Sequence, residues 1–261
     1  MNVGIKNYKT VLNLLINLEA EGANETICSR ISQAMNLLEL DLTPFAVSFS
    51  LAFWATTILL IISFPLAWIF AFSRKRWIPF VEAFFSLGLV LPPTVMGFYL
   101  LVFFSPLSPF GGFLEQNFGL RLVFSFPGLV MASCISGLPF MVSALKTGLA
   151  GVPRRLMEAS WTLGKSPLET LFRVILPQIK VALLAGVVST FAHTLGEFGI
   201  VLMIGGSLPG VTKVVSIAIF EEVESGRLAN AHAYSLLLIL LSYLGTLALL
   251  TFQRMQNRGK V

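Results

Sequence analysis

The sequence predicts an all-α polytopic membrane protein with about five transmembrane helices, and three observations predict it. Apolar residues make up 56% of the 261-residue chain and charged residues only 12%, about half the charge of an ordinary soluble domain. Five apolar stretches reach the roughly 20 residues that a helix needs to cross a bilayer. Lys and Arg gather in alternate connecting segments, as in a chain threaded through a membrane. That placement accounts for the formal charge of +5, so no nucleic-acid partner is implied. Cys28 and Cys134 are too few and too far apart for a disulfide framework or a metal site, and no cofactor is expected on this chain.

Taken in order, the first 44 residues form an extension, either disordered or amphipathic. The longest uncharged run there, Thr10 to Leu18, is too short to cross a bilayer. The spacing of Val11, Leu14, Leu15 and Leu18 suits a short surface helix. No basic segment leads into an apolar core with a small-residue cleavage site, so a signal peptide is not expected. Translation beginning at Met35 is an expectation; a natural peptide covering Val11 to Arg30 would exclude it.

The membrane domain then runs over residues 45–254, followed by a basic tail at 255–261. Its first crossing covers about Phe45 to Phe72 without a charge, and the second about Trp77 to Phe104 with only Glu82. The third covers about Phe126 to Leu145. A fourth, about Val181 to Ile204, holds His193 and Glu197, and the last runs from about Ala233 to Phe252. If the first crossing runs inward, the cytoplasm receives Arg74, Lys75, Arg76, Lys146, Arg154, Arg155, Lys165, Arg173, Lys180, Arg254, Arg258 and Lys260. The outside keeps Lys6, Lys9, Arg30, Arg121, Lys213 and Arg227. The excess of basic residues inside puts the amino terminus outside and the carboxyl terminus in the cytoplasm.

The most informative connection is Glu158 to Pro177, a charged, helix-prone stretch between two apolar runs. Within it, Ala159 to Ser166 comes one residue short of a phosphate-binding loop, but a membrane helix stands where that motif needs a strand. Nucleotide binding by this chain is therefore not expected. The residues read instead as helix, turn, helix. Gly164 stops the first helix; Ser166 caps the second, with Pro167 at its first position and Glu169 at its third. Such a loop offers a surface to a soluble partner, although a plain helical hairpin would look similar.

Two further clusters interrupt the crossings. In the second, Pro92 and Pro93, followed by Thr94 and Gly97, remove two backbone donors at membrane depth. Such a break needs protein or a wet cavity to satisfy the freed carbonyls, which favours a transport pathway over a packing kink. Pro65 and Pro139, each alone, read as kinks. In the fourth crossing His193 and Glu197 lie four apart and share a helix face. An intramembrane carboxylate suggests function or a specific partner; Glu197 reads as a structural or gating hydrogen-bond hub, with His193 as its partner or a satisfied interior histidine. The turn-rich Gly205 to Lys213 precedes Val214 to Phe220, too short to cross and read as re-entrant or interfacial. The acidic cluster Glu221, Glu222 and Glu224 behind it is open to two readings, a docking surface or a solvated loop.

The order Glu158-Ala159-Ser160, three residues, Gly164, then Val174-Ile175-Leu176-Pro177 resembles the EAA loop of permease subunits from ABC importers. With Leu91 to Leu100, His193 to Gly199 and Ile204 to Thr212, the chain resembles molybdate permeases of that family over about Leu37 to Arg254. Ser160 stands where Ala is usual, Val174 where Ile is, and Ser207-Leu208 where Asn-Ile is common. The resemblance implies a type I ABC importer transmembrane domain in a bacterial-type plasma membrane, with a cytoplasmic coupling loop. It also implies a second copy of the chain, a separate ABC ATPase subunit that uses the ATP, and an extracytoplasmic molybdate-binding protein. Glu158, Ala159, Ser160, Gly164, Leu176 and Pro177 would couple to the ATPase. Pro92, Pro93, Thr94, Gly97, His193, Glu197 and Gly199 would line or gate the pathway. A sulfate, thiosulfate or tungstate permease is the alternative.

Overall fold

The computed structural model describes residues 40–73 and 75–258. The readings on the amino-terminal extension and the start at Met35 lie outside the described residues, as do the last residues of the basic tail. Among the described residues every regular element is a helix.

Helix α1 is Thr43–Phe72, opened by Pro44 and by Asp41, whose carboxylate accepts from the Thr43 N–H (2.9 Å) and hydroxyl (2.6 Å). Those two bonds, the hydroxyl's first, hold the Asp41 carboxyl below its ordinary range. The second crossing is a broken pair, α2 (Ile78–Val90) and α3 (Pro93–Phe104), bent by 112°. A short α4 (Pro109–Phe118), capped by Ser108 and ended by left-handed Gly119, leads to α5 (Phe126–Ala150), capped by Ser125. After α5 come α6 (Arg154–Thr162), α7 (Pro167–Thr170), a π-helical turn (Leu171–Ile175) and α8 (Leu176–Gly196). The chain closes with α9 (Gly199–Gly205), α10 (Val215–Glu224) and the long α11 (Leu228–Arg258).

Four of these stretches are long and apolar enough to cross a membrane, five when the bent pair counts as one. The core shows how they thread. Val47 and Leu51 of α1 pack with Leu129 and Val130 of α5, while Ala67 and Phe70 pack with Leu145 and Leu149. The two helices therefore run parallel, and residues 73–125 carry the chain back across between them. Glu82 of α2 pairs with Lys146 near the end of α5, whereas Phe104 of α3 clusters with Leu122 and Ala132 near its start. Each arm of the bent pair is roughly 20 Å long by helical rise, so the pair returns as a V and not as a straight rod. Helix α8 runs antiparallel to α5. A Cβ on Gly148 would meet Ala182 at 2.5 Å, and one on Gly137 would meet Thr190 at 3.3 Å. Small residues thus bring these backbones close, the usual route to helix association in lipid. The α11 start returns to the α1 start, where the Tyr234 hydroxyl donates to the Asp41 carbonyl (2.7 Å).

Three boundaries differ from the sequence reading. Helix α5 runs past Leu145 because Glu82 neutralises Lys146, so the charge does not end it. The fourth crossing is Pro167–Gly196 and not Val181–Ile204: its helix ends where Glu197 turns extended (φ −69°, ψ 129°). The last crossing begins at Leu228.

Candidate functional site

The elbow between α5 and α8 is built almost entirely by local sequence chemistry. Helix α6 stops at Gly164, whose φ of +74° is a left-handed conformation that suits glycine. The Lys165 N–H donates to the Ser160 carbonyl (3.1 Å) and the Gly164 N–H to the Trp161 carbonyl (2.9 Å). Those two bonds are the Schellman closure of a helix end. Two residues later the Ser166 hydroxyl accepts from the Glu169 N–H (3.2 Å) with Pro167 in the first helical position. Glu169 in turn holds Lys165 (2.8 Å) and Arg173 (3.1 Å). The two arms are stapled by a buried hydrogen bond between the Ser160 and Thr170 hydroxyls (2.8 Å).

Beneath, Met157 and Ile175 join the core cluster of Leu149, Val152 and Ile179, so the elbow is seated on the ends of α5 and α8. The π turn precedes Pro177, whose ring would strike the Arg173 carbonyl in a regular α-helix; the wider turn gives that carbonyl room. On the outer side Glu158, Ala159, Trp161, Leu168 and Phe172 are exposed, and Leu163 is 78% exposed. Leu176 is half-buried and Pro177 exposed. Trp161, Leu163, Leu168 and Phe172 thus give the elbow several exposed apolar side chains near the Glu158 carboxylate in sequence.

The second constellation lies inside the bundle. Pro92 and Pro93 separate α2 from α3, as expected, and α9 packs across the start of α3 through two glycines. A Cβ on Gly97 would lie 3.0 Å from the Ile200 Cα, and one on Gly199 would lie 3.0 Å from the Pro93 Cβ and 3.2 Å from the Thr94 nitrogen. Two motifs about a hundred residues apart in sequence therefore meet at one junction. Glu197 sits in the gap between α8 and α9, only 6% exposed. Its carboxylate accepts from the Ser133 hydroxyl of α5 (3.1 Å), and its carbonyl accepts from the Ser216 hydroxyl of α10 (2.7 Å). Glu197 thus ties three segments together at the point where the helix breaks.

His193 does not join it. Because α8 ends at Gly196, the shared helix face assumed for residues 193 and 197 does not exist. The imidazole stacks on Phe140 (4.2 Å between centroids), and its Nε2 has no hydrogen-bond partner among the described residues. Ser133 and Ser216 were missed by sequence reasoning, since a lone serine in an apolar helix carries no signal until its acceptor is known. The outer segment forms α10 close to the expected position. Its acids turn largely inward: Lys213 pairs with Glu221 (2.5 Å), and Arg227 grips Glu222 (2.6 and 2.9 Å). That guanidinium holds the Glu222 carboxyl below its usual range. Of the acidic cluster Glu224 is exposed while Glu221 and Glu222 are half-buried, which favours an internally braced loop over an acidic docking patch.

Comparison with known proteins fits this architecture. The family described as binding-protein-dependent transport system inner membrane component matches residues 63–260. The chain is 41% identical to the molybdenum transport system permease protein ModB of Azotobacter vinelandii, over 84% of this chain and 97% of that protein. It is 33% identical to the putative molybdenum transport system permease protein YvgM of Bacillus subtilis, over 77% and 89% respectively. A probable sulfate transport system permease protein of Anthoceros angustus is 31% identical over 79% of this chain and 71% of its own. In fold the chain resembles a chain of the inward-facing MetNI methionine ABC transporter, at 16% identity, with a TM-score of 0.65 over 84% and 97% of the two chains. The chain belongs to the binding-protein-dependent transport system inner membrane components, and so is a multi-pass inner-membrane permease subunit of an ABC transporter whose ATPase is a separate subunit.

Proposed function

We propose that this chain, as two copies, forms the transmembrane path of an ATP-driven molybdate importer, and that a separate ATPase grips the elbow at residues 154–177. The observation that carries the coupling is the exposed apolar face of Trp161, Leu163, Leu168 and Phe172 beside Glu158 and Ala159. It lies at the end of the bundle richest in Lys and Arg, the end that the distribution of basic residues assigns to the cytoplasm. Support for molybdate comes from the molybdenum transport permeases of Azotobacter vinelandii and Bacillus subtilis to which the chain is similar. An extracytoplasmic binding protein would deliver the oxyanion at the opposite end.

In this reading, ATP-driven closure of the ATPase pair pushes the two elbows together. Met157 and Ile175 pass the push to α5 and α8, whose close packing moves them as one body. The junction of Pro93, Thr94, Gly97 and Gly199 then shears, with Glu197 keeping α5, α10 and the α8–α9 break in register. Such a mechanism is alternating access, driven by contacts that differ between two states. A sulfate permease is the second reading, favoured by the relative from Anthoceros angustus. Uptake of radiolabelled molybdate, measured with the binding protein and ATPase present, tests the proposal. Molybdate is expected to enter only with ATP and to resist competition by sulfate. Sulfate uptake indifferent to molybdate would overturn the substrate assignment, and uptake without ATP would overturn the coupling.

A further inference from the structure

We propose that Lys146, with the Ser143 and Thr147 hydroxyls beside it, is the station from which the transported oxyanion leaves for the cytoplasm, and that Glu82 holds Lys146 while the station is empty. The inference rests on the reading of the cargo as an oxyanion and names the side chains that release it.

Ser133, Ser136, Phe140, Ser143 and Thr147 stand alternately three and four residues apart, so they share one face of α5. The lane they make is roughly 21 Å long by helical rise. Ser133 and Ser136 are buried, Phe140 is half-buried, and Ser143 and Thr147 are exposed. The lane is therefore closed towards the outer end of α5 and open towards the end that the basic residues assign to the cytoplasm. Glu197 occupies the closed end, where it accepts from Ser133. Midway, the His193 imidazole lies on Phe140, its Nε2 without a hydrogen-bond partner among the described residues. Lys146, the single cation of α5, flanks the open end; Glu82 of α2 pairs with it, and 34% of each side chain is exposed. Charge inside a crossing is costly against lipid, so this mouth fronts water or protein. A brace between α2 and α5 would need the ion pair alone, without the exposure of both charges and without the hydroxyls next to them.

The chemistry of the mouth suits the cargo. An oxyanion carries its charge on oxygens that accept hydrogen bonds, and an ammonium and two hydroxyls are donors. The Thr147 hydroxyl donates to the Ser143 carbonyl (2.9 Å) when no cargo is near. Glu82 sets how tightly the anion is held. While it pairs with Lys146 the station is neutral, and an arriving anion must displace a carboxylate of its own sign. Binding is thereby kept weak, as a point of exit requires. Without the Glu82 charge, the same donors hold the anion longer.

The test is equilibrium dialysis of radiolabelled molybdate against the transporter assembled with its ATPase in nanodiscs, without nucleotide or binding protein. Glu82→Gln is expected to tighten retention about tenfold over the unsubstituted complex, and adding Lys146→Met is expected to abolish the gain. Unchanged retention in Glu82→Gln, or a gain that survives Lys146→Met, would overturn the inference. Where Glu82→Gln alone fails to assemble, Glu82→Gln combined with Lys146→Gln keeps a hydrogen-bonded brace without charge. That pair is expected to melt near the native temperature while uptake falls several-fold. Native uptake in the uncharged pair would mark the residues as a brace and overturn the inference alone, with molybdate import intact. A cargo without negative charge in the uptake assay would overturn the reading beneath it as well.

Discussion

The chain breaks its helices in two contrasting ways. At Leu163–Ser166 every end is closed locally: Gly164 supplies the left-handed turn, Lys165 and Gly164 donate back to Ser160 and Trp161, and Ser166 caps the next helix. At Leu89–Thr94 almost nothing is closed locally. The first break is self-sufficient, although water surrounds it and would satisfy it in any case. The second lies within a crossing, where the backbone groups it leaves open need protein or a wet cavity beyond its own residues. The comparison teaches that the elbow holds its shape through its own residues, as the proposed coupling would require. The interior break is completed only by neighbours. Glu197 is the intermediate case, a break whose carboxylate and carbonyl are satisfied by Ser133 and Ser216.

The sharpest way to break the contrast is Gly164→Pro. Proline fixes φ near −65° where this turn needs +74°, and it removes the donor to Trp161. Uptake is expected to fall to background while the protein still reaches the membrane, as read by transport assay and membrane immunoblot. Next in size is Gly199→Val, whose Cβ would press on Pro93 at 3.0 Å. Overpacking of about 1–3 kcal/mol should lower the melting temperature in detergent and uptake together. Glu197→Ala removes the acceptor of the buried Ser133 hydroxyl, at about 1–3 kcal/mol. Glu197→Gln keeps an acceptor and should recover most of the thermal stability; equal loss in both variants would refute the tie between segments. The smallest effect is expected from Ser160→Ala, which leaves the Thr170 hydroxyl buried without its partner, at about 1 kcal/mol. Thr170→Val paired with it in a double-mutant cycle should show coupling between the two positions, and strict additivity would show that the staple contributes nothing.

What the sequence made legible follows the same division. Gly164, Ser166, Pro167 and Glu169 each act within four residues of themselves, and the turn they imply is the turn observed. The Pro92–Pro93 break was equally plain, because a missing donor is a property of the residue itself. The junction of Gly97 with Ile200 and of Gly199 with Pro93 was not legible, since a glycine's neighbour across a helix crossing leaves no mark on local spacing. Of the two readings of His193, partner of Glu197 or interior histidine, the pairing is the one the structure does not show, because a periodicity argument assumes an unbroken helix. Glu197 leaves the helix to reach Ser133, and the four-residue spacing then carries no geometry. The outer acids stayed open to two readings for a related reason: Glu221 and Glu222 look like free charge until Lys213 and Arg227 fold back on them.

The π turn at Leu171–Ile175 sets a compass bearing. One extra residue in a turn rotates everything beyond it by about 100° relative to an uninterrupted helix. The direction in which Leu163 and Leu168 point is thus dialled against the direction in which Ile179 and Gly186 are packed. Removing one residue there would let the turn close to regular α geometry with both flanks still in register, and the ring of Pro177 would then press on the carbonyl one turn before it.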